Sequence, residues 1–250
     1  MKISKLICHD LHRGLLRKSC LVALLLPLAP CMIWYQSCKW MSQDTSWMEY
    51  MSWLFKGSIP IQPGMSLRYV EIPFFWLTVM ICPAFVCVRY PMEDLSEVGA
   101  QILSRCGSRS AWFLSKCLWV MAGSGVYLLL LAVSTAVFTA LTGGSFTIRN
   151  WEELYGSIFL PFLAIWGLNQ LSLTLGVLFS PVGGLLAHFS LAAAAVYWNT
   201  PWIYPNCAMT LRNKEFENPA WICLAMLALE ISAGVWFFRR RDILPGKREV

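Results

Sequence analysis

Apolar residues occur along this chain in long, nearly uninterrupted stretches that are separated by short polar connections. A helix needs roughly 20 such residues to cross about 30 Å of hydrocarbon. We place six stretches of about this length at 19–35, 72–88, 117–141, 157–179, 183–198 and 220–238. The pattern predicts an all-α polytopic membrane protein, organised as a single transmembrane domain over 1–250 with a six-span bundle at 19–238.

The residues ahead of the first span form a pattern of their own. Apolar and basic residues recur at helical spacing over 1–18, with Ile3 and Ile7 opposite Lys5. A basic amphipathic helix beside a span lies on the inner membrane surface. The first span also resembles the apolar part of a signal peptide, but Pro30 stands where a cleavage site needs a small residue, which favours a retained span.

Composition and charge agree with this organisation. Apolar residues make up 57% of the chain and charged residues only 14%, against about 25% in a soluble domain. Fourteen of the 20 Lys and Arg residues fall in the N-terminal arm, in the connection between spans two and three, and in a basic tail at 239–250. Positive loops stay in the cytoplasm, so we expect both termini on that side of the cell membrane. The net charge of +6 then reflects topology, and no nucleic-acid partner is predicted.

The connection between spans two and three carries the most detailed signal. Acidic residues lead a helical segment at 92–105 and a basic residue ends it, which is the order that the helix dipole favours. A glycine then offers a stop, and Ser108 or Ser110 offers a cap, before a second helix carries Lys116 into span three. The sequence predicts a helix, a tight corner and a second helix on the cytoplasmic face.

Two further segments lie on the predicted external side. Trp47, Met51 and Phe55 recur on one helical face, which predicts a short helix resting on the outer leaflet. After the fifth span, Pro201 and Pro205 break the helix. This stretch is either an ordinary loop with interfacial aromatic residues or backbone that dips into the membrane, where it must be shielded by protein or line a wet cavity.

Polar residues inside the predicted spans are costly enough to need a reason. A carboxylate at the bilayer centre costs about 2.5–3.5 kcal/mol, and Glu230 lies near the middle of span six. Asn169 and Gln170 lie in the middle of span four, and His188 lies early in span five. We interpret Glu230 and the Asn169–Gln170 pair as candidates for a substrate path or a dimer interface. The alternative is helix packing, which we favour for His188.

Catalytic and metal chemistry have little support in this chain. No two of its 10 cysteines have Cys-x-x-Cys spacing, its 3 histidines are scattered, and no phosphate-binding Gly-x4-Gly-Lys-Ser/Thr loop is present. Only Cys38 and Cys207 fall where an oxidising exterior could join them. We expect no catalytic residue, metal ion or cofactor in this chain.

Two local motifs complete the whole-chain pattern. They are the Ser-Arg-Cys-Gly-Ser-Arg corner at 104–109, which leads to Lys116, and the Arg-Arg-Asp-Ile sequence at 240–243. Together with the basic entry helix, the cytoplasmic helix–corner–helix and the six spans, they resemble the bacterial type-2, exporter-type permease family of ATP-binding-cassette transporters.

The resemblance implies a membrane subunit that works with other polypeptides. The N-terminal arm would be an elbow helix, and the corner would dock on a separate ATPase subunit that holds ATP and Mg²⁺. The ATPase-coupling residues would be Glu93, Asp94, Glu97, Arg105 and Arg109. A second permease subunit, identical or different, would complete the pathway. The cargo would be an amphipathic or hydrophobic molecule, such as an antimicrobial peptide, a drug or a lipid-like compound.

Two other classes of function remain open on the sequence. One is a membrane scaffold or immunity protein that sequesters a ligand without transporting it. The other is an intramembrane enzyme, which needs a nucleophile or a metal set at membrane depth. Glu152 and Glu153 precede span four, but no His or Arg follows at a spacing that builds a catalytic carboxylate site.

The predicted topology can be tested by cysteine labelling. In a full-length background without reactive native cysteines, Gln62→Cys should react with a membrane-impermeant maleimide on intact cells, because 62 lies in a predicted external connection. Ser104→Cys, in the predicted cytoplasmic corner, should react only after permeabilisation. Protection of the Gln62→Cys site on intact cells would contradict the six-span topology.

Overall fold

The computed structural model describes residues 7, 10, 12, 46–59, 71–97, 108–148 and 150–240. The predicted first span at 19–35, most of the N-terminal arm, the segment at 98–107, which includes most of the predicted corner, and the tail from 241 lie outside these residues. Cys38 also lies outside them, whereas Cys207 is a free and fully buried thiol.

The described part of the chain is helical and contains no β-strand. Its α-helices are α1 Trp47–Leu54, α2 Phe74–Glu97, α3 Arg109–Leu141, α4 Trp151–Leu178, α5 Pro181–Tyr197 and α6 Pro219–Arg240. Two 3₁₀ turns, Tyr204–Ala208 and Asn213–Glu215, lie between α5 and α6. Four helices, α2, α3, α4 and α6, are long and apolar enough to cross a membrane. They correspond to the predicted spans two, three, four and six, and the shorter apolar α5, of 17 residues, corresponds to the predicted fifth span.

Helix α4 forms the centre of the bundle. It packs against α2, α3, α5, α6 and the first 3₁₀ turn, and its side chains are buried in nearly every direction. Its hairpin with α5 is tight because a Cβ at Gly184 would collide with the backbone of Ser172 and Gly176. Helix α6, by contrast, buries one face, and the buried positions recur every three or four residues at Pro219, Cys223, Leu227, Glu230, Gly234 and Phe238. Its other face, with Trp221 and Leu229, is exposed, as lipid-facing residues are in a membrane helix.

Helix α1 packs on the bundle, and the prediction that its apolar face rests on the outer leaflet is wrong. Met51 and Phe55 are completely buried within the chain. The indole of Trp47 donates to the Ala132 carbonyl at 3.2 Å and to the Thr135 hydroxyl at 3.0 Å. Amphipathic spacing gives a helix an apolar face but does not say whether lipid or protein covers it; here α3 provides the cover.

Helix α4 contains one π-helical turn, Tyr155–Phe159. Pro161 has no N–H and cannot donate to a carbonyl in the preceding turn, while the Leu160 N–H bonds to the carbonyl five residues earlier. The Gly156 carbonyl therefore has no donor within the helix. The side-chain amide of Asn213 donates to it at 3.4 Å, so the connection between α5 and α6 supports the widened turn.

The connection between α5 and α6 is shielded by protein. Every residue from Tyr204 to Met209 is buried, so protein covers this stretch, and its backbone forms a 3₁₀ turn at Tyr204–Ala208. Burial first, and the Glu230 carboxyl second, hold the pKa of the Tyr204 phenol well above its usual range. The phenol therefore keeps its proton and donates to Glu230 Oε1 at 3.1 Å.

A buried guanidinium holds this connection in place. Arg212 is completely buried, and its donors reach Ser58 O at 2.8 Å, Ser58 Oγ at 2.8 Å, Ile59 O at 3.2 Å, Ala195 O at 2.6 Å, Val196 O at 3.0 Å and Asn206 Oδ1 at 2.8 Å. Two of these acceptors are carbonyls of the last turn of α5, where the helix dipole favours a cation. Burial lowers the pKa of Arg212 and Glu215 opposes that shift, and an Arg side chain stays charged in proteins.

We expect Arg212→Ala to lower the free energy of unfolding by at least about 3 kcal/mol, because each buried acceptor left without a donor costs about 1–3 kcal/mol. Arg212→Lys should recover only part of this loss, since an ammonium has fewer donors than a guanidinium. The measurement is the temperature at which the buried thiols of Cys207 and Cys223 react with a fluorogenic maleimide in detergent. Lys214→Ala, an exposed neighbour, is the control, and equal unfolding temperatures for Arg212→Ala and Lys214→Ala would contradict the prediction.

Candidate coupling site

The end of α2 and the start of α3 are joined by a buried ion pair. The Lys116 ammonium lies 2.7 Å from Asp94 Oδ2 and 2.7 Å from Asp10 Oδ1, and the three side chains are at most 1% exposed. Lys116 is in α3, Asp94 is near the end of α2, and Asp10 comes from the N-terminal arm. A single cation thus connects three separate segments of the chain.

Uncharged neighbours donate hydrogen bonds to both carboxylates. Asp10 accepts from the Tyr90 hydroxyl at 3.0 Å and from the Ser115 hydroxyl at 2.9 Å. Asp94 accepts from the Trp112 indole at 3.2 Å. The Lys116 Nζ also lies 4.8 Å from the ring centroid of Tyr90 and 5.2 Å from that of Trp112, within cation–π range. We call these six residues, Asp10, Tyr90, Asp94, Trp112, Ser115 and Lys116, the Lys116 cluster.

Helix α6 ends against the Lys116 cluster. The Phe238 ring stacks on Trp112 with centroids 5.1 Å apart and packs on Phe113 at 5.8 Å. The last two residues of α6, Arg239 and Arg240, are exposed beyond this contact. The start of the predicted basic tail therefore leaves the bundle at the same end as the predicted corner.

Local sequence explains where the two helices of this site begin and end. The Ser108 hydroxyl accepts from the Ala111 N–H at 3.4 Å, so Ser108 is the N-cap of α3, which confirms one of the two caps that the sequence offered. Helix α2 runs without a break to Glu97 although it contains Pro83 and Pro91. The predicted span and the first part of the predicted coupling helix are thus one continuous helix, and the expected boundary between them is wrong.

The structure places the predicted coupling residues in different environments. Glu93 is partly exposed and pairs with Arg89 at 2.6 Å one turn earlier. Asp94 is buried and faces Lys116. Arg109 is the first residue of α3 and is half-buried. Glu97 is the last residue of α2; its side chain and the whole of Arg105 lie outside the described residues.

Two residues of the Lys116 cluster are in surroundings that the sequence pattern does not predict. Lys116, which counts among the positive charges of the connection between spans two and three, is completely buried. Asp10 was not singled out, although a signal exists: it is the one acidic residue of the basic arm at 1–18. It also lies three positions after Ile7, and this spacing puts the two residues on the same face of a helix.

The polar residues predicted inside the spans are buried within this chain. Asn169 and Gln170 are completely buried and Glu230 is 5% exposed. The Asn169 amide donates to the Ser124 hydroxyl of α3 at 3.0 Å. The Gln170 amide donates to the Cys117 sulfur of α3 at 3.2 Å.

All three residues thus bond to neighbouring segments of the same chain, because Glu230 in turn accepts from Tyr204. Each also keeps one oxygen without a hydrogen bond: Asn169 Oδ1, Gln170 Oε1 and Glu230 Oε2. Three buried oxygens without a hydrogen bond thus belong to α4 and α6 in the described part of the chain.

His188 bridges three helices. Its Nδ1 lies 2.9 Å from the Ser172 hydroxyl of α4, and its Nε2 lies 3.1 Å from the Met80 carbonyl of α2. Nδ1 also lies 3.1 Å from the Leu168 carbonyl. A neutral imidazole donates from only one ring nitrogen, so it donates either to Met80 or to Leu168. This geometry fits the packing role that we favoured from the sequence.

The described part of the chain is all-helical, with four helices long and apolar enough to cross a membrane and a buried charge cluster that joins the end of α2 to the start of α3. Residues 31–244 match the model of a family described as protein of unknown function DUF2705. The chain belongs to this family. No curated protein and no solved structure matches it.

We expect Lys116→Met to destabilise the protein by about 3–5 kcal/mol, because it leaves two carboxylates buried without their cation. The triple variant Lys116→Met, Asp10→Asn and Asp94→Asn should recover most of this loss, since the asparagine at 10 can accept from one of Tyr90 and Ser115 and donate to the other hydroxyl, and the asparagine at 94 can accept from Trp112. The readout is again the temperature at which buried thiols react in detergent, with the exposed Lys56→Met as control. Equal destabilisation in the single and the triple variant would show that the charge balance of the cluster is not what matters.

Proposed function

We propose that this chain is the membrane subunit of an ATP-driven transporter, of the type-2 ATP-binding-cassette exporter class. In this proposal it has six spans with both termini in the cytoplasm, pairs with a second permease subunit, and receives its energy from a separate ATPase. It moves an amphipathic or hydrophobic substrate.

The Lys116 cluster is the observation that carries the proposal. A coupling element transmits a push to the membrane only if it moves as one body with the helices behind it. Here α2 enters the corner, α3 leaves it, and Asp10 of the N-terminal arm contacts both, and all three are tied by one buried ammonium within 2.7 Å of two carboxylates. Removing one member of such a buried pair costs about 3–5 kcal/mol, so the three segments stay together when force is applied.

This arrangement divides the predicted coupling residues into two roles. Asp94 acts inside the protein as an anchor, because its carboxylate faces Lys116. The residues left to contact an ATPase are Glu93, Glu97, Arg105 and Arg109, which carry both signs of charge on a short segment. Such a segment suits a groove on a partner that also has both signs, since complementary charges fix register.

The cycle follows from the coupling geometry. ATP closes two ATPase subunits, the corner moves with them, and α2 and α3 carry the motion along the bundle. A substrate shifts this equilibrium only through different affinities for the two states. Asn169, Gln170 and Glu230 bond within one chain, which favours helix packing over a dimer surface for these residues. Their three unpaired oxygens are the polar groups that a substrate path between α3, α4 and α6 would present.

The experiment that tests the proposal is purification of the tagged full-length chain from its native membrane in mild detergent, with identification of every stoichiometric companion by mass spectrometry. We expect an ATPase with a phosphate-binding loop, alone or with a second membrane subunit. Recovery of the chain without any ATPase, even after cross-linking, would overturn the transporter proposal and favour a membrane scaffold that binds its ligand directly.

The same preparation tests the coupling corner. Glu97→Gln with Arg105→Gln should lower the transport obtained per ATP hydrolysed while expression stays unchanged, because the charges that set the docking register are lost. Glu71→Gln with Arg68→Gln removes the same charges from the predicted external side and should leave the ratio unchanged. An unaltered ratio in the corner variant would refute the coupling assignment.

A further inference from the structure

A cavity of about 720 Å³ lies at the end of the bundle opposite the Lys116 cluster. Its walls come from α1, from the first turns of α4 and from the connection between α5 and α6. The volume falls within the roughly 300–1,000 Å³ of small-molecule sites. In the proposed topology this cavity opens to the outside of the cell.

The three walls are held together by hydrogen bonds to backbone carbonyls. Thr210 donates through its N–H to Phe55 O at 2.8 Å and through its hydroxyl to Ser52 O at 3.1 Å. Asn213 reaches the π-helical turn of α4 at Gly156. The cavity is therefore a feature of the fold with fixed walls.

The charges that line the cavity have an acidic excess. They are Glu49, Glu152 and Glu153 against Lys56 and Lys214. Glu49 already accepts from the Ser46 N–H at 2.9 Å. Among the described residues, no ion pair joins Glu152, Glu153, Lys56 or Lys214 to another side chain. Two carboxylates at the first turn of α4, close to its positive dipole end, thus line the cavity without a salt bridge to a described cation, and Lys56 and Lys214 line the same cavity.

Aromatic side chains provide the apolar part of the same cavity. Trp53, Tyr155 and Phe216 line it, one from each wall, and all three are half-buried. Aromatic faces attract cations as well as apolar groups. Carboxylates beside aromatic faces select a positively charged group attached to an apolar body.

We infer that this cavity is a binding site for an amphipathic cation, a molecule with an ammonium or guanidinium group on an apolar body. Glu152 and Glu153 hold the cationic group, and Trp53, Tyr155 and Phe216 cover the apolar part. Lys56 and Lys214 bind the carbonyl or carboxylate groups of a ligand that has them. A lysine-rich peptide and a small aromatic amine share this chemistry. As a place where cargo enters, the site rests on the proposed function; as a binding site it does not.

The test uses the full chain alone, reconstituted in nanodiscs of phosphatidylcholine so that the lipid carries no net charge. The probes are a dansyl-labelled hexapeptide of alternating lysine and leucine, its lysine-acetylated form, and phenethylamine as a competitor. Glu152→Gln with Glu153→Gln should weaken binding of the lysine peptide at least tenfold. The matched control, Glu71→Gln with Glu217→Gln, removes two exposed acidic charges that do not line the cavity and should change affinity less than twofold.

The outcomes separate the possible ligands. Displacement of the peptide by phenethylamine supports a site open to small amines, and peptide binding without displacement supports a peptide site. Equal binding of the acetylated peptide, equal weakening in both double variants, or no binding of either probe overturns the inference. The ATPase is absent from this experiment, so the two proposals can fail separately. Binding here together with failure to recover an ATPase would reject the transporter and keep the site. Recovery of an ATPase without binding here would keep the transporter and reject the site.

Discussion

The rest of the structure depends on one buried ammonium group between two carboxylates. A charged lysine in a low-dielectric interior is stable only beside a compensating charge. Lys116 has two such charges, Asp10 in the N-terminal arm and Asp94 in α2. Charge balance therefore decides how α2, α3 and the N-terminal arm meet. The aromatic rings around the cluster and the stacked Phe238 keep water from competing for the ammonium, which makes each electrostatic contact stronger.

The opposite end of the bundle is held by a cation of another kind. Arg212 binds carbonyl oxygens of α5 and of the segment after α1, with its positive charge set against the negative end of a helix dipole. One end of the molecule is thus fixed by full charges and the other by a guanidinium among dipoles. The two ends are held by different kinds of contact. The Lys116 cluster needs one ammonium and two carboxylates, whereas the Arg212 network needs one guanidinium and uncharged acceptors.

Local pattern predicts most of the helices but misjudges their ends where a charge has a distant partner. The end of α3 at Leu141 and its cap at Ser108 follow from local sequence, but the apolar span within α3 is predicted only from 117, because Lys116 carries a charge whose partners lie far away in the chain. In the same way α2 continues past Arg89 and Glu93, which neutralise each other, to Asp94, which Lys116 neutralises. The acceptors of Arg212 and the protein cover of α1 also depend on contacts between segments far apart in the chain. The π-helical turn left a local trace, a glycine five residues before Pro161, but not the identity of Asn213 as its support.

The widened turn of α4 has a consequence for the direction in which its first residues point. Each residue of an α-helix advances the side-chain direction by about 100° around the axis. The π-helical turn holds one residue more than a regular turn. The side chains before it are therefore rotated by about 100° relative to the side chains after it. The protein-covered body of α4 and its first turn are therefore in different angular phase. With an unbroken α-helix, a register that buries Asn169 and Gln170 would aim Glu152 and Glu153 about a quarter-turn away from the cavity. Pro161 thus sets the direction in which the Glu152 and Glu153 carboxylates point, although it follows them by more than two turns.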